Sequence, residues 1–416
     1  MAESSRTGGA FKRDGGLTGD FLPYGQQYID DEDILSVVDI LKSPYLTTGP
    51  AVSRFESAFA EITGARQAVV CANGTAALHI GAMALDLEPG DVVVVPAVTF
   101  LATANAARYI GAEVVFADVD AETGLMMPEH LEAAIARSPK QPKAVFPVHL
   151  GGPYCNMPEL ARIAARHGLK IMEDACHALG TTGEIDGRAF KAGDCTWSDM
   201  AVFSAHPVKM LTMGEGGVVT LNDETCAEKL RRLRSHGMMR EVAQFTNRDM
   251  AFSSDGSANL WYYEMQEIGY NYRATDMQCA LGLSQLGKLN MFVERRRALV
   301  ARYSSTLKWA DLANVSIPAP DSRLNVGWHL FRVSIDFKAV GKDRQQVMKR
   351  LRTQGVGSQV LYIPLYRQPY YRQRYGMMSL PGAERYYERT LSLPLYYSMK
   401  DSDVDRVITA LSLALN

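Results

Sequence analysis

Seven short apolar runs constrain this chain more than any other feature: Ala68–Cys71, Val92–Pro96, Val114–Ala117, Ala144–Val148, Lys170–Glu173, Ala201–Ser204 and Val218–Leu221. Most are apolar throughout rather than alternating, the pattern of strands covered on both faces. Helical stretches lie between several of them. Val52, Phe55, Phe59 and Ile62 recur at helical spacing, with Gly64 placed to end the helix. Pro158–His167 is a second helix, with Asn156 or Met157 near its start and Gly168 after its end. Repeated strand–helix–strand units imply right-handed crossovers and an α/β fold with a mostly parallel sheet between helices. Ligands of such sheets bind beyond the carboxyl ends of the strands. Asp174, the Asn73-Gly74 turn and Ser204 all fall at such ends.

The rhythm changes after about Gly287. A long helix is expected from Thr275 or Asp276 to about Leu307, broken or kinked near Gly287. Next come a strand around His329–Asp336, a helix near Arg344–Gln354 and a strand at Ser358–Tyr362. A closing helix carries Val404, Val407, Ile408 and Leu411 on one face, with Ser402 as its N-cap. The chain of 416 residues therefore divides into a large domain over 21–287 and a smaller α+β domain over 288–416. Residues 1–20 are rich in Gly, Ser and Arg and are expected to be disordered.

A net charge of −2 offers no basic field for nucleic acid or an anionic membrane. No apolar run approaches the ~18 residues of a membrane span, and the N-terminus lacks an apolar signal core. The six cysteines are scattered, with neither Cys-x-x-Cys pairs nor zinc-ligand spacing. That pattern suits reduced thiols in a cytoplasmic enzyme without a metal.

One lysine carries the chemistry. Lys209 lies in Ser204-Ala-His-Pro-Val-Lys209-Met-Leu-Thr-Met-Gly214-Glu-Gly-Gly217, a glycine-flanked loop between two apolar runs. A desolvated lysine has a lowered pKa, and its free amine can join a carbonyl cofactor such as pyridoxal phosphate. Asp174, in Ile171-Met-Glu-Asp174-Ala-Cys-His177, supplies the acid that a protonated pyridine nitrogen needs at the end of a buried strand. In Cys71-Ala-Asn73-Gly74-Thr75 a strand turns into a helix. The free N–H groups there and the Thr75 hydroxyl can cradle a phosphate, and Ser204 offers another hydroxyl. Phe100 follows a strand end and can stack on a flat ring. His177 can pack on or hydrogen-bond to that ring, or be a satisfied structural histidine, and His206 can order the lysine loop.

These segments, together with Thr99-Phe100 and Gly269-Tyr-Asn271-Tyr-Arg273, resemble the DegT/StrS family of sugar aminotransferases over nearly the whole chain from about Pro23. The resemblance implies an aspartate-aminotransferase-like large domain (fold type I of the pyridoxal phosphate enzymes) and a homodimer with shared active sites. It makes Lys209 the lysine bonded to the cofactor and Asp174 the pyridinium partner, with Phe100 stacked on the ring. Gly74, Thr75 and Ser204 would bind the phosphate, and Asn271 would reach the phosphate of the other subunit's cofactor. Glutamate would be the amino donor, giving 2-oxoglutarate, with pyridoxamine phosphate as the intermediate form of the cofactor. Arg273 is a candidate for the donor's carboxylate, and Tyr362, Tyr366, Tyr370 and Tyr371 for a sugar pocket.

Within the family, four stretches are most similar to the transaminase branch that makes UDP-4-amino-4,6-dideoxy-N-acetyl-β-L-altrosamine in pseudaminic acid biosynthesis. They are Lys42-Ser-Pro-Tyr-Leu46-Thr-Thr-Gly49, Leu233-Arg-Ser-His236-Gly237-Met, Ala280-Leu-Gly-Leu-Ser-Gln-Leu286 and Gln359-Val-Leu-Tyr362-Ile-Pro-Leu-Tyr366. Other members often carry histidine where Tyr366 stands. GDP-perosamine-type and dTDP-sugar 4-aminotransferases remain alternatives, as does a non-catalytic regulator on the same fold. The family's dehydratase branch has histidine at the lysine position, and Lys209 argues against it.

Overall fold

The computed structural model describes residues 21–310, 312 and 314–416; the expectation for residues 1–20 lies outside them. All seven apolar runs become strands of one sheet: β1 (Gln67–Cys71), β2 (Val92–Pro96), β3 (Glu113–Ala117), β4 (Ala144–Val145), β5 (Lys170–Asp174), then, after a hairpin formed by β6 (Thr182–Ile185) and β7 (Arg188–Lys191), β8 (Met200–Ser204) and β9 (Gly217–Leu221). The spatial order is β1-β9-β8-β5-β4-β2-β3. Pairing is parallel through β3, β2, β4, β5 and β8, while β9 runs antiparallel to both β8 and β1. The exception has a simple cause. Only the loop Ala205–Gly216 joins β8 to β9, with no helix to carry the chain back for a parallel return.

Helices α1 (Asp31–Lys42), α2 (Pro50–Thr63), α3 (Gly74–Ala84), α4 (Leu101–Tyr109), α5 (Pro128–Arg137) and α6 (Met157–His167) belong to this first part. Gly64 ends α2 with a φ of 82°, in the left-handed conformation that glycine adopts without a steric cost. Helix α3 is buried nearly all round, which its Ala- and Gly-rich sequence allows; Gly81 leaves room for the sulfurs of Met172 and Met200.

Three expectations from the sequence need correction. The run Ala144–Val148 pairs as a ladder only at Ala144 and Val145. Pro147 has no N–H to donate, and Val148 keeps a single bridge to Asp174. The break expected near Gly287 is present: the helix from Thr275 is two helices, Asp276–Gly287 and Leu289–Trp309, separated at Lys288. Its start was read correctly, since Thr275 and Gln278 cap each other reciprocally. Ser358–Tyr362 is not a strand: Gln359 alone bridges Ser392, and the Leu361 carbonyl accepts from the Tyr386 hydroxyl at 2.9 Å. The closing helix, Asp401–Leu415, is capped at Lys400, whose N–H donates to Asp403 Oδ2 at 2.7 Å. Ser402 lies within its first turn.

Two hydrophobic cores hold the chain. The larger gathers both faces of the seven-stranded sheet, and residues from Leu365 to Tyr386 return to it. The smaller joins Leu22 to residues between Leu299 and Leu415, around the strands Phe331–Ile335 and Thr390–Leu393. The first core holds the strand ends still, and the site is built on them.

Candidate active site

A cavity of about 960 Å³ opens beyond the carboxyl ends of β1, β2, β5 and β8. Of the residues singled out from sequence, Gly74, Thr75, Phe100, Asp174, His177, Ser204, Lys209 and Tyr362 line it together. Three do not. Asn271 is exposed outside this cavity, although Tyr270 and Tyr272 on either side of it face in. Arg273 lies two residues on and also stands outside. Tyr366 is buried in the larger core, its hydroxyl donating to Glu384. Of its companions, Tyr371 is buried with its hydroxyl on Asn105, and Tyr370 lies by Arg108. Tyr366 and Tyr371 therefore pack the fold, Tyr370 is half exposed, and Tyr362 alone of the four turns to the cavity.

The phosphate-sized corner follows from close backbone contacts. Asn73 caps α3, its side chain accepting from the Ala76 N–H at 2.8 Å. The N–H groups of Gly74 and Thr75 open the helix and have no carbonyl one turn back to bond. A Cβ at Gly74 would lie 2.9 Å from Ser204 Cβ, so the turn and the end of β8 already touch. A Cβ at Gly217 would meet the Asn73 carbonyl oxygen at 2.2 Å. Free donors, the positive end of an eleven-residue helix and two hydroxyls thus converge where only glycines fit.

Asp174 ends β5 and is 5 % exposed. Its Oδ2 accepts from the Thr103 hydroxyl at 2.6 Å and its Oδ1 from the Cys176 N–H at 3.2 Å. Nearby, Phe100 is 52 % exposed because it faces the cavity rather than the core, 5.8 Å from the Tyr362 ring. His177 is held on both sides. Its Nδ1 accepts from the Gly151 N–H at 3.1 Å, which leaves Nε2 to carry the proton and face the Tyr362 oxygen at 3.4 Å. Burial keeps His177, and His329 whose tilted ring lies 4.4 Å from it, well below the usual imidazole range.

Lys209 sits on the loop after β8, its N–H bonded to the His206 carbonyl at 2.8 Å. Burial of its amine lowers the pKa from the ordinary lysine value, against the opposing pull of Cys176 and Asp174. A desolvated amine, a fixed carboxylate, an exposed aromatic face and an anion cradle around one cavity fit the aldehyde, ring nitrogen, ring face and phosphate of pyridoxal phosphate.

Sequence reasoning gave no role to other lining residues: Tyr24, His79, Tyr109, Glu215, Tyr270 and Tyr272. Tyr270 and Tyr272 had a signal, since they flank Asn271 in a stretch already singled out. Thr103, which touches Asp174, carried no such local signal.

This fold and donor set define a pyridoxal-phosphate-dependent sugar aminotransferase. Residues 27–412 match the model of the DegT/DnrJ/EryC1/StrS aminotransferase family, and the chain belongs to that family. It is 39% identical over 393 residues to the spore coat polysaccharide biosynthesis protein SpsC of Bacillus subtilis, covering 94% of this chain and 96% of that one. Among solved structures it is similar to Helicobacter pylori PseC, an aminotransferase involved in pseudaminic acid biosynthesis. That match has a TM-score of 0.84 at 26% identity over 95% of this chain and 99% of PseC. Spr1654 of Streptococcus pneumoniae in its PLP form matches with a TM-score of 0.81 at 26% identity, over 95% of this chain and 98% of that one.

Proposed function

We propose that the protein moves the amino group of L-glutamate to carbon 4 of a 4-keto-6-deoxy nucleotide sugar. The substrate is UDP-linked and the product UDP-4-amino-4,6-dideoxy-N-acetyl-β-L-altrosamine. The observation that carries this reading is the joining of Lys209, Asp174 and the Gly74–Thr75–Ser204 corner in one cavity. Pyridoxal phosphate, once bound, supplies an electron-accepting ring that stabilises charge left on carbon when a proton departs. Lys209 holds the cofactor between turnovers and, when released, carries that proton as acid and base. Asp174 accepts from the ring nitrogen, Phe100 covers a ring face, and Gly74, Thr75 and Ser204 bind the phosphate. His177, fixed as a neutral ring by Gly151, packs beside the cofactor and orients Tyr362 toward the sugar.

The UDP-sugar assignment draws on the likeness to PseC and on the stretches around Tyr45, His236 and Tyr362. The homodimer is part of the same proposal. Leu260, Trp261, Tyr263, Met265 and Ile268 form an exposed apolar group just ahead of Asn271, suited to a second copy of this chain. There Asn271 would complete the partner's phosphate site and Arg273 its carboxylate site. The six unpaired cysteines suit a reducing cytoplasm.

The test has two arms. Borohydride reduction and peptide mapping should place the cofactor on Lys209, and Lys209→Ala should lose both the bound-cofactor absorbance and turnover. With glutamate and a panel of UDP-, GDP- and dTDP-linked 4-keto sugars, amination should be confined to the UDP substrates. Amination of GDP- or dTDP-linked sugars alone would replace this assignment with a perosamine-type or dTDP-sugar one. Labelled Lys209 without amination of any would leave a non-catalytic regulator.

A further inference from the structure

Thr103 lies on α4, one turn after Phe100, and is fully buried. A threonine inside a helix ordinarily returns its hydroxyl to a carbonyl one turn back, as Thr63 does to Phe59 at 2.9 Å. Thr103 instead reaches across to β5 and contacts Asp174 Oδ2 at 2.6 Å, while Thr99 Oγ1 stands 2.8 Å from Thr103 Oγ1. The direction of this chain follows from proton counting. An ionised carboxylate only accepts, and Thr103 has one hydroxyl proton, which goes to Asp174. Thr99 must then donate to Thr103. With the Cys176 N–H on Oδ1, each carboxylate oxygen has one internal donor and keeps further lone pairs for the cavity.

We infer that Thr103 is a positioning residue: its hydroxyl, held in turn by Thr99, fixes Asp174 as a pure acceptor that keeps the proton on the cofactor's ring nitrogen. The inference rests on the reading of Asp174 given above. It adds a requirement that the shape of the fold does not impose, because valine keeps threonine's branched shape but has no hydroxyl proton to give. Losing a hydrogen bond to a charged group weakens the favoured ionisation by roughly ten- to hundredfold.

The experiment loads the enzyme with ¹⁵N-ring-labelled pyridoxal phosphate and reads the nitrogen resonance, which separates protonated from unprotonated ring. Thermal melts and the single-turnover rate with glutamate are measured beside it. The wild type and Thr103→Ser should show a protonated ring. Thr103→Val should move the resonance toward the unprotonated position and slow the glutamate reaction by about ten- to hundredfold. Thr99→Val should shift both in the same direction by less. An unshifted resonance in Thr103→Val overturns the inference even if its rate falls, since loose packing would slow the reaction without touching the nitrogen. Should Thr103→Val fail to fold, an unshifted resonance in Thr99→Val overturns it instead. An unprotonated ring in the wild type would remove the reading of Asp174 itself, a result distinct from failure of the threonine chain.

Discussion

Gly217→Ala tests whether the phosphate corner is set by backbone contact rather than by side chains. Gly217 begins β9 and pairs with Cys71, and its added Cβ would stand 2.2 Å from the Asn73 oxygen, 2.4 Å from its carbonyl carbon and 2.8 Å from the Gly74 nitrogen. Carbon and carbonyl oxygen normally approach no closer than about 3.3 Å, so something must move by roughly 1 Å. Neither side is a free side chain: one is a paired strand and the other the first turn of α3. Overpacking of this kind costs about 1–3 kcal/mol, and a backbone-on-backbone clash belongs at the upper end. Restricting the unfolded chain by the Gly→Ala change offsets about 0.5–1 kcal/mol, leaving a net loss near 2 kcal/mol. The apparent affinity for pyridoxal phosphate should fall further, because a turn displaced by about 1 Å misaims the Gly74 and Thr75 donors. Losing the worth of one charge-assisted bond raises the apparent Kd roughly ten- to hundredfold. Gly214→Ala, three residues earlier in the loop before β9, is the control. Its φ of 77° is left-handed but nothing stands within 4 Å, so it should lose about 1–2 kcal/mol and leave cofactor affinity alone. Thermal melts and a fluorescence titration with pyridoxal phosphate measure both. If the two variants bind the cofactor alike, the corner is not held by this contact.

The remaining expectations concern histidines and tyrosines. His177 and His329 are held below their ordinary value of 6.5 by burial, so below about pH 6.5 the unfolded chain binds protons that the fold refuses. Stability is therefore fully present above that pH and is lost as the pH falls through it, by at most about 1.4 kcal/mol per pH unit for each ring. Urea melts from about pH 7 to 5 should show this, and His329→Asn should flatten the slope by that ring's share; an unchanged slope would contradict the assignment. Tyr362→Phe, which removes a hydroxyl facing the cavity, should raise KM for the sugar nucleotide severalfold. By contrast, Tyr366→Phe should leave KM alone and lower stability by about 1 kcal/mol, through loss of its bond to the half-buried Glu384. Steady-state kinetics and melts on the pair separate substrate contact from packing.

What the sequence made legible and what it hid divide along one physical line. The strands of the sheet are continuous apolar runs because both faces are covered, and that requirement leaves a mark residue by residue; β2, with four successive valines, coincides with its expected limits. The same holds for residues placed at a strand end or a helix start: Asp174, Ser204 and the Asn73–Thr75 turn are legible in the sequence. Direction and orientation leave no such mark. Nothing local in Val218–Leu221 says that β9 runs against its neighbours; that follows from the length of the loop before it. Nothing local distinguishes Tyr362 from Tyr366 either, since each is a tyrosine in an apolar stretch. Their fates diverge because the chain leaves Ser392 after Gln359 and turns Tyr362 toward His177, whereas Tyr366 meets Glu384 from a later helix. Thr103 was hidden for the same reason. Its partner is 71 residues away, and only the register of α4 against β5 makes a helix threonine into a ligand of the acid. A site is thus readable where one element determines a residue's role, and becomes visible only in three dimensions where two elements must agree.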